Sequence, residues 1–265
     1  MKGRVLIVAG SDSGGGAGIQ ADIKTVTMLD AFAMTAITAL TAQNTEGVYG
    51  VLPIDPAFIR QQMEVVLADI GADAVKTGML HDEGVIDTVA AVLEEHAPTA
   101  PLVLDPVMVA KGGAPLIEMG AIDALKLRLV PRAAVLTPNL PEAEILLGGP
   151  IADVAAIRAA ARALLGLGCR AVLLKGGHLD GDAVHDILAT PLGLREWTSP
   201  RIDSRHTHGT GCTLASAIAA GLAQGLAVEP AVERARLYVQ RAIISAPGLG
   251  RGHGPLDHAH PLHAA

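Results

Sequence analysis

Short apolar runs alternate along this chain with segments whose apolar residues recur at helical spacing. Residues 5–9 form a compact β-type run, followed by Ile19, Ile23 and Val26 on one helical face. A second strand is predicted at 34–40, with threonines alternating along it. Asp55-Pro56 reads as a helix start, an N-cap residue ahead of proline at the first helical position. Behind it Ile59, Met63, Val66 and Ile70 share a face. The cycle continues with a strand at 74–76, a helix through Ile86, Val89 and Leu93, and a strand at 102–104. A helix through Ile122, Leu125 and Leu129 follows, then a strand at 133–136, a helix beginning near Asp153 and a strand at 171–174. Residues 178–205 break the rhythm and suit an antiparallel edge hairpin. Two Ala-rich helices are expected near 210–225 and 229–245. Such alternation predicts an α/β fold, a mostly parallel sheet with helices on both faces.

The 265 residues contain no repeat, linker or low-complexity tract, so one domain spanning 1–265 is expected. The longest apolar runs are too short for a membrane span. The run behind Lys2 and Arg4 leads into Ser-Asp-Ser-Gly rather than a cleavage site, which argues against a signal peptide. A net charge of −7 and few aromatics argue against a nucleic-acid partner. Two cysteines, Cys169 and Cys212, imply no disulfide framework, and a cytoplasmic location is expected. The tail carrying His253, His258, His260 and His263 matches no metal-ligand spacing and is expected to be solvated.

Polar clusters fall where strands end, the place where open α/β sheets bind ligands. The loop 10–18 follows the first strand and Gln43-Asn44 the second; Asp105 ends a third. Thr137-Pro138-Asn139 and Lys175-Gly176-Gly177 follow two more. The glycine loop fits neither a dinucleotide fingerprint nor a Walker loop. It is either a flexible turn or a segment whose backbone approaches a ligand closely. His208-Gly209-Thr210-Gly211-Cys212 runs into an apolar helix. Backbone N–H groups there could converge on a transferred phosphoryl group. The helix terminus is expected to lower the Cys212 thiol pKa. A plain glycine-mediated helix start is the alternative; a hydrolytic Cys212–His208 pair lacks assured geometry. Asn139 and Glu142, three apart at a helix start, suit Mg²⁺ bound together with nucleotide phosphates, and Asp105 offers a second carboxylate. Lys175 could neutralise a phosphate oxygen.

Taken together, several segments resemble the ribokinase-like superfamily, and within it the hydroxymethylpyrimidine/phosphomethylpyrimidine kinases of thiamin biosynthesis. They are Ala9-Gly10-Ser11-Asp12 through Gly16-Ala17-Gly18-Ile19-Gln20-Ala21-Asp22, Ala42-Gln43-Asn44-Thr45, Lys76-Thr77-Gly78-Met79-Leu80 and Leu104-Asp105-Pro106-Val107-Met108. Thr137-Pro138-Asn139-Leu140-Pro141-Glu142-Ala143, Lys175-Gly176-Gly177-His178 and Thr207-His208-Gly209-Thr210-Gly211-Cys212-Thr213 complete the series. The resemblance implies an α/β/α sandwich, typically dimeric, that uses Mg·ATP. Gln43 would recognise the pyrimidine edge, with Gly10, Ala17, Met79 and Val107 around the ring and Asp22 nearby. Asn139, Glu142 and Lys175 would hold Mg·ATP, with Asp105 and Glu142 at the metal. Gly209, Gly211 and Cys212 would form the anion hole, with Cys212 as thiolate taking the substrate proton. Ser13-Gly14 departs from the family's usual first loop. A cysteine stands where the superfamily's sugar kinases carry an aspartate, which keeps pyridoxal kinase as an alternative. A non-catalytic pyrimidine sensor is the other.

Overall fold

The computed structural model describes residues 1–109, 116–118 and 120–263. Among the described residues nine strands form one sheet in the order β3-β2-β1-β4-β5-β6-β7-β8-β9. They are β1 (Arg4–Asp12), β2 (Phe32–Gln43), β3 (Val48–Pro53), β4 (Ala74–Thr77), β5 (Leu102–Leu104), β6 (Ala133–Leu136), β7 (Val172–Leu174), β8 (Ala183–Thr190) and β9 (Gly193–Pro200). The six central strands, β2, β1, β4, β5, β6 and β7, run parallel. Antiparallel strands close both edges: β3 on β2, and the β8–β9 hairpin on β7. The hairpin expected within 178–205 is therefore present.

Alternation along each central strand supplies both faces of the sheet. In β1, Leu6 and Val8 join one core cluster while Val5, Ile7 and Ala9 join the other. The first cluster packs beneath α2 (Pro56–Asp69), α3 (Glu83–His96), α5 (Leu140–Leu147) and α6 (Val154–Leu165). The second packs beneath α1 (Gly18–Met28), α7 (Thr210–Ala223) and α8 (Val228–Ile244). The result is a three-layer α/β/α sandwich. Helix starts follow local chemistry. Asp55, Asp82 and Asp153 each accept a backbone N–H of the first turn, and Asn139 and Glu142 form a reciprocal capping box.

Three features differ from the sequence expectation. The helix through Ile122, Leu125 and Leu129 is short: α4 (Ala121–Ala124) passes into a π-helical turn at Leu125–Leu129 and a 3₁₀ turn at Val130–Arg132. Pro131, which has no N–H to donate, sits in that last turn. Strand β3 carries no clear apolar alternation, and its outer face is exposed. The tail is solvated only in part: His253 and His263 are exposed, as expected, but its middle is not. Leu256 and His258 are buried, the His258 ring meets Thr213 Oγ1 at 3.0 Å, and Tyr238 Oη donates to the His258 carbonyl at 2.7 Å. Packing against α7 and α8 anchors a segment whose polar composition suggests solvent.

Candidate active site

The carboxyl ends of the parallel strands open into a cavity of about 680 Å³. Strand β1 slips register between Ala9 and Ser11, so that Gly10 and the loop behind it turn across the sheet edge. Gly10, Ala17, Gln43, Met79 and Val107 line one end of the cavity. Asp105, Asn139, Glu142, Lys175, Gly209, Gly211 and Cys212 line the rest. Every site residue expected from the sequence lies on this wall except Asp22. Asp22 is fully buried one layer deeper, where its carboxylate binds Lys76 Nζ at 2.8 Å and accepts from Ser216 Oγ at 2.7 Å.

Charge is concentrated around Lys175. Its ammonium lies 3.1 Å from Asp105 Oδ1, which also accepts from Thr137 Oγ1 at 3.0 Å. Burial opposes the Lys175 charge, but Asp105 and Glu142 outweigh it and the ammonium is held above its ordinary pKa. Glu142 is pushed up to about 7, first by burial and then by Asp105, with Lys175 opposing. Two carboxylates thus face one ammonium. The all-oxygen donor set and the uncompensated negative charge fit a hard divalent cation such as Mg²⁺. The capping box aims Glu142: its Oε2 accepts from the Asn139 N–H at 2.8 Å while Asn139 Oδ1 accepts from the Glu142 N–H at 2.9 Å. A backbone bridge between Asn139 and Lys175 ties the two loops together.

Helix α7 points its N-terminus at the same spot. Gly209 is its N-cap, with φ +82°, and a Cβ there would collide with the Gly16 carbonyl oxygen. Glycine is required both for the backbone conformation and for the close docking of two loops. Cys212 opens to the cavity, yet burial pushes its thiol up to about 11, with Lys76 pulling the other way. The expected lowering of this pKa is therefore corrected: desolvation exceeds the pull of nearby positive charge, and Cys212 rests as a thiol.

Three side chains of the site have roles that the sequence motifs do not reveal. Lys76 reaches the cavity from within β4, and its charge is kept by Asp22 and Asp105 against burial. A lysine inside an otherwise apolar strand is the available signal, because a buried ammonium needs a counter-charge. Asp12 and His208 meet at 3.0 Å across 196 positions, a pairing that no local pattern announces. Next to the first cavity lies a second, of about 830 Å³, between the β8–β9 hairpin and α8. Arg236 Nε donates to Asp186 Oδ2 at 2.8 Å and stacks its guanidinium 5.1 Å from the Trp197 ring, which fixes the hairpin onto α8.

A three-layer sandwich with a glycine-capped helix terminus, a carboxylate–lysine cluster and two adjoining cavities at one sheet edge matches the ribokinase-like kinases. Within that class the chain belongs to the phosphomethylpyrimidine kinase family, whose sequence pattern matches residues 12–257. It is 46% identical to the hydroxymethylpyrimidine/phosphomethylpyrimidine kinase of Bacillus subtilis, over 96% of this chain and 94% of that protein. It is 55% identical to the thiamine biosynthesis bifunctional protein ThiED of Geobacter sulfurreducens over 97% of this chain. The match covers 52% of that relative, so the chain spans about half its length. Among solved structures, the ADP complex of Bacillus subtilis pyridoxal kinase superposes with a TM-score of 0.91 at 35% identity, covering 99% of this chain and 100% of that one. Phosphomethylpyrimidine kinase from Clostridium difficile superposes at 0.81 with 40% identity, covering 91% and 100%.

Proposed function

We propose that this chain uses Mg·ATP to phosphorylate 4-amino-5-hydroxymethyl-2-methylpyrimidine and then its monophosphate, giving the diphosphate. The observation that carries this is the order of parts along one sheet edge. An end lined by Gly10, Gln43, Met79 and Val107 leads to the α7 terminus and the Asp105–Lys175–Glu142 cluster, and beyond these to a second cavity. In this reading Gln43 grips the ring, whose edge Gly10, Ala17, Met79 and Val107 surround. The ring's hydroxymethyl group faces Cys212, and the nucleoside of ATP lies in the second cavity. Structures of Staphylococcus aureus pyridoxal kinase in complex with AMP-PCP and pyridoxal, at a TM-score of 0.89, support a shared arrangement of nucleotide and ring.

Asp105 and Glu142 would hold Mg²⁺, which neutralises charge on the β- and γ-phosphates when bound. Lys175 and the N–H groups of Gly209, Gly211 and Cys212 would stabilise negative charge on the transferred phosphoryl group. Cys212 is the candidate acceptor of the hydroxyl proton, acting from its minor thiolate form. Asp22 and Ser216 hold Lys76 charged beneath it. The chain works as one domain over 1–265, supported by a single continuous sheet that contributes site residues from most of its crossovers. A cytoplasmic homodimer is the accompanying expectation. Among the described residues no helix is long and apolar enough to cross a membrane.

The test is a substrate panel with Mg·ATP, resolving mono- from diphosphate product. Sequential appearance of both pyrimidine products is expected. Pyridoxal or pyridoxine turning over far faster than either pyrimidine would replace this reading with the pyridoxal kinase one. Binding of pyrimidine with no ATP consumption would leave only a sensor.

A further inference from the structure

The ring end of the cavity holds a hydrogen-bond chain whose direction can be worked out. Asp12 is 3% exposed and its carboxylate only accepts: Oδ1 from the Gly14 N–H at 2.8 Å, Oδ2 from the N–H groups of Gly16 at 3.0 Å and Ala17 at 2.8 Å. His208 Nε2 stands 3.0 Å from that same Oδ2 and must therefore carry a proton. The same Nε2 lies 2.9 Å from Gln43 Nε2. A protonated ring nitrogen facing an amide NH₂ sets donor against donor.

A second mismatch sits at the other end of the amide. Thr41 Oγ1 is 2.9 Å from the Ser11 carbonyl and 3.3 Å from Gln43 Oε1. The hydroxyl has one proton, and the shorter contact to the Ser11 carbonyl takes the larger share of it. The Thr41 oxygen is then an acceptor facing an acceptor. Turning the Gln43 amide by 180° about its last bond removes both conflicts at once. The carbonyl oxygen then shares the His208 Nε2 proton with Asp12 Oδ2 as a three-centre bond, and the NH₂ donates to Thr41.

We propose that His208, oriented by Asp12, is a positioning residue that fixes the Gln43 amide with its oxygen toward His208 and its NH₂ toward Thr41. One lone pair and one N–H remain for a ligand. A heteroaromatic edge with an amino group beside a ring nitrogen matches that pair in one sense only, with its amine on the His208 side and its ring nitrogen on the Thr41 side. The geometry is built for this. His208 is seated against Gly16, where a Cβ would come within 2.6 Å of the imidazole, and Gly209 docks onto the Gly16 carbonyl. The ring-sense part of the inference rests on the proposed pyrimidine substrate; the protonation and amide polarity do not.

Two measurements test it. In ligand-free protein, ¹H–¹⁵N NMR should show a proton on His208 Nε2 at neutral pH, and an unprotonated Nε2 overturns the proposal whatever the enzyme binds. In calorimetry, His208→Leu should weaken binding of the aminopyrimidine by about tenfold to a hundredfold, the range for an unpaired buried polar group. His208→Gln, which returns an NH₂ donor, should recover most of that loss, and the KM for Mg·ATP should move much less than the KM for the ring. Equal weakening in the Leu and Gln variants, or no weakening in either, overturns the positioning role. If Nε2 is protonated and the wild-type protein binds no aminopyrimidine at all, the substrate reading fails while the amide polarity stands.

Discussion

At the scale of single residues, burial sets the protonation of Cys212 and Glu142, the groups proposed as proton acceptor and metal ligand. A thiol pushed up to about 11 leaves little thiolate at neutral pH. If that thiolate takes the hydroxyl proton, kcat for the first phosphorylation should climb with pH across the neutral range. Cys212→Ala should slow this step by about 10²–10⁴-fold, the range for loss of a general base, and flatten the climb. The second phosphorylation starts from an already anionic oxygen and should change little, since the backbone N–H at position 212 survives. Measuring the two steps separately decides it, and equal slowing of both would remove Cys212 as a base.

Glu142, pushed up to about 7, must lose its proton to meet a cation. Apparent Mg²⁺ affinity should therefore fall about tenfold per pH unit below 7 in the wild type and stay flat in Glu142→Gln. The folding linkage has the opposite slope. Between about 4.5 and 7 the folded chain keeps a proton that the unfolded chain has released, so stability without metal declines as pH rises through that window. Glutamine can maintain the capping box, so the variant should fold while losing both dependences. Chemical denaturation and Mg²⁺ titration at several pH values would show them.

At the scale of elements, the start of α7 decides whether an anion site exists. Its N-cap glycine has φ +82° and touches the loop behind β1 so closely that no side chain fits. Gly209→Ala must shift one of the two loops. Destabilisation of roughly 1–3 kcal/mol is expected, with a fall in kcat larger than the fall in folded fraction explains. Gly149 provides the control, because a Cβ added there would meet nothing within 4 Å. Gly149→Ala should stay within about 0.5 kcal/mol of wild type. Urea midpoints and kcat for the two variants test the contrast.

At the scale of the whole molecule, the C-terminal segment is part of the core packing around α7 and α8. Burial is the main reason that the His258 imidazole is depressed to about 4. As pH falls from about 6.5 to 4, the unfolded chain takes up a proton at this position before the folded chain does, so stability is lost through that window. The loss from this group should reach up to roughly 3 kcal/mol. His258→Gln, still able to bond Thr213, should show a shallower acid limb in thermal or urea unfolding between pH 7 and 4. An unchanged limb would mean that the ring is already charged in the folded protein.

The amino-acid pattern by itself determined the succession of the central strands and most helices, the parallel sheet and the two covered faces, but not β3. Those follow from local periodicity and caps: the runs at β5 and β6, and Asp55-Pro56 and Asp153 at helix starts, act within a few residues of themselves. The glycine loop, Gln43, Asp105, Asn139, Glu142, Lys175 and Gly209 were legible because strand ends are where open sheets gather polar groups. Tertiary structure alone decided what depends on distant partners. It placed Asp22 beneath the site against Lys76, joined Asp12 to His208, and buried His258 within a tail that reads as solvent-facing. It also set the protonation of Cys212, because the cost of burying a charge is fixed by everything packed around it, and the helix terminus named in the sequence is only one contributor.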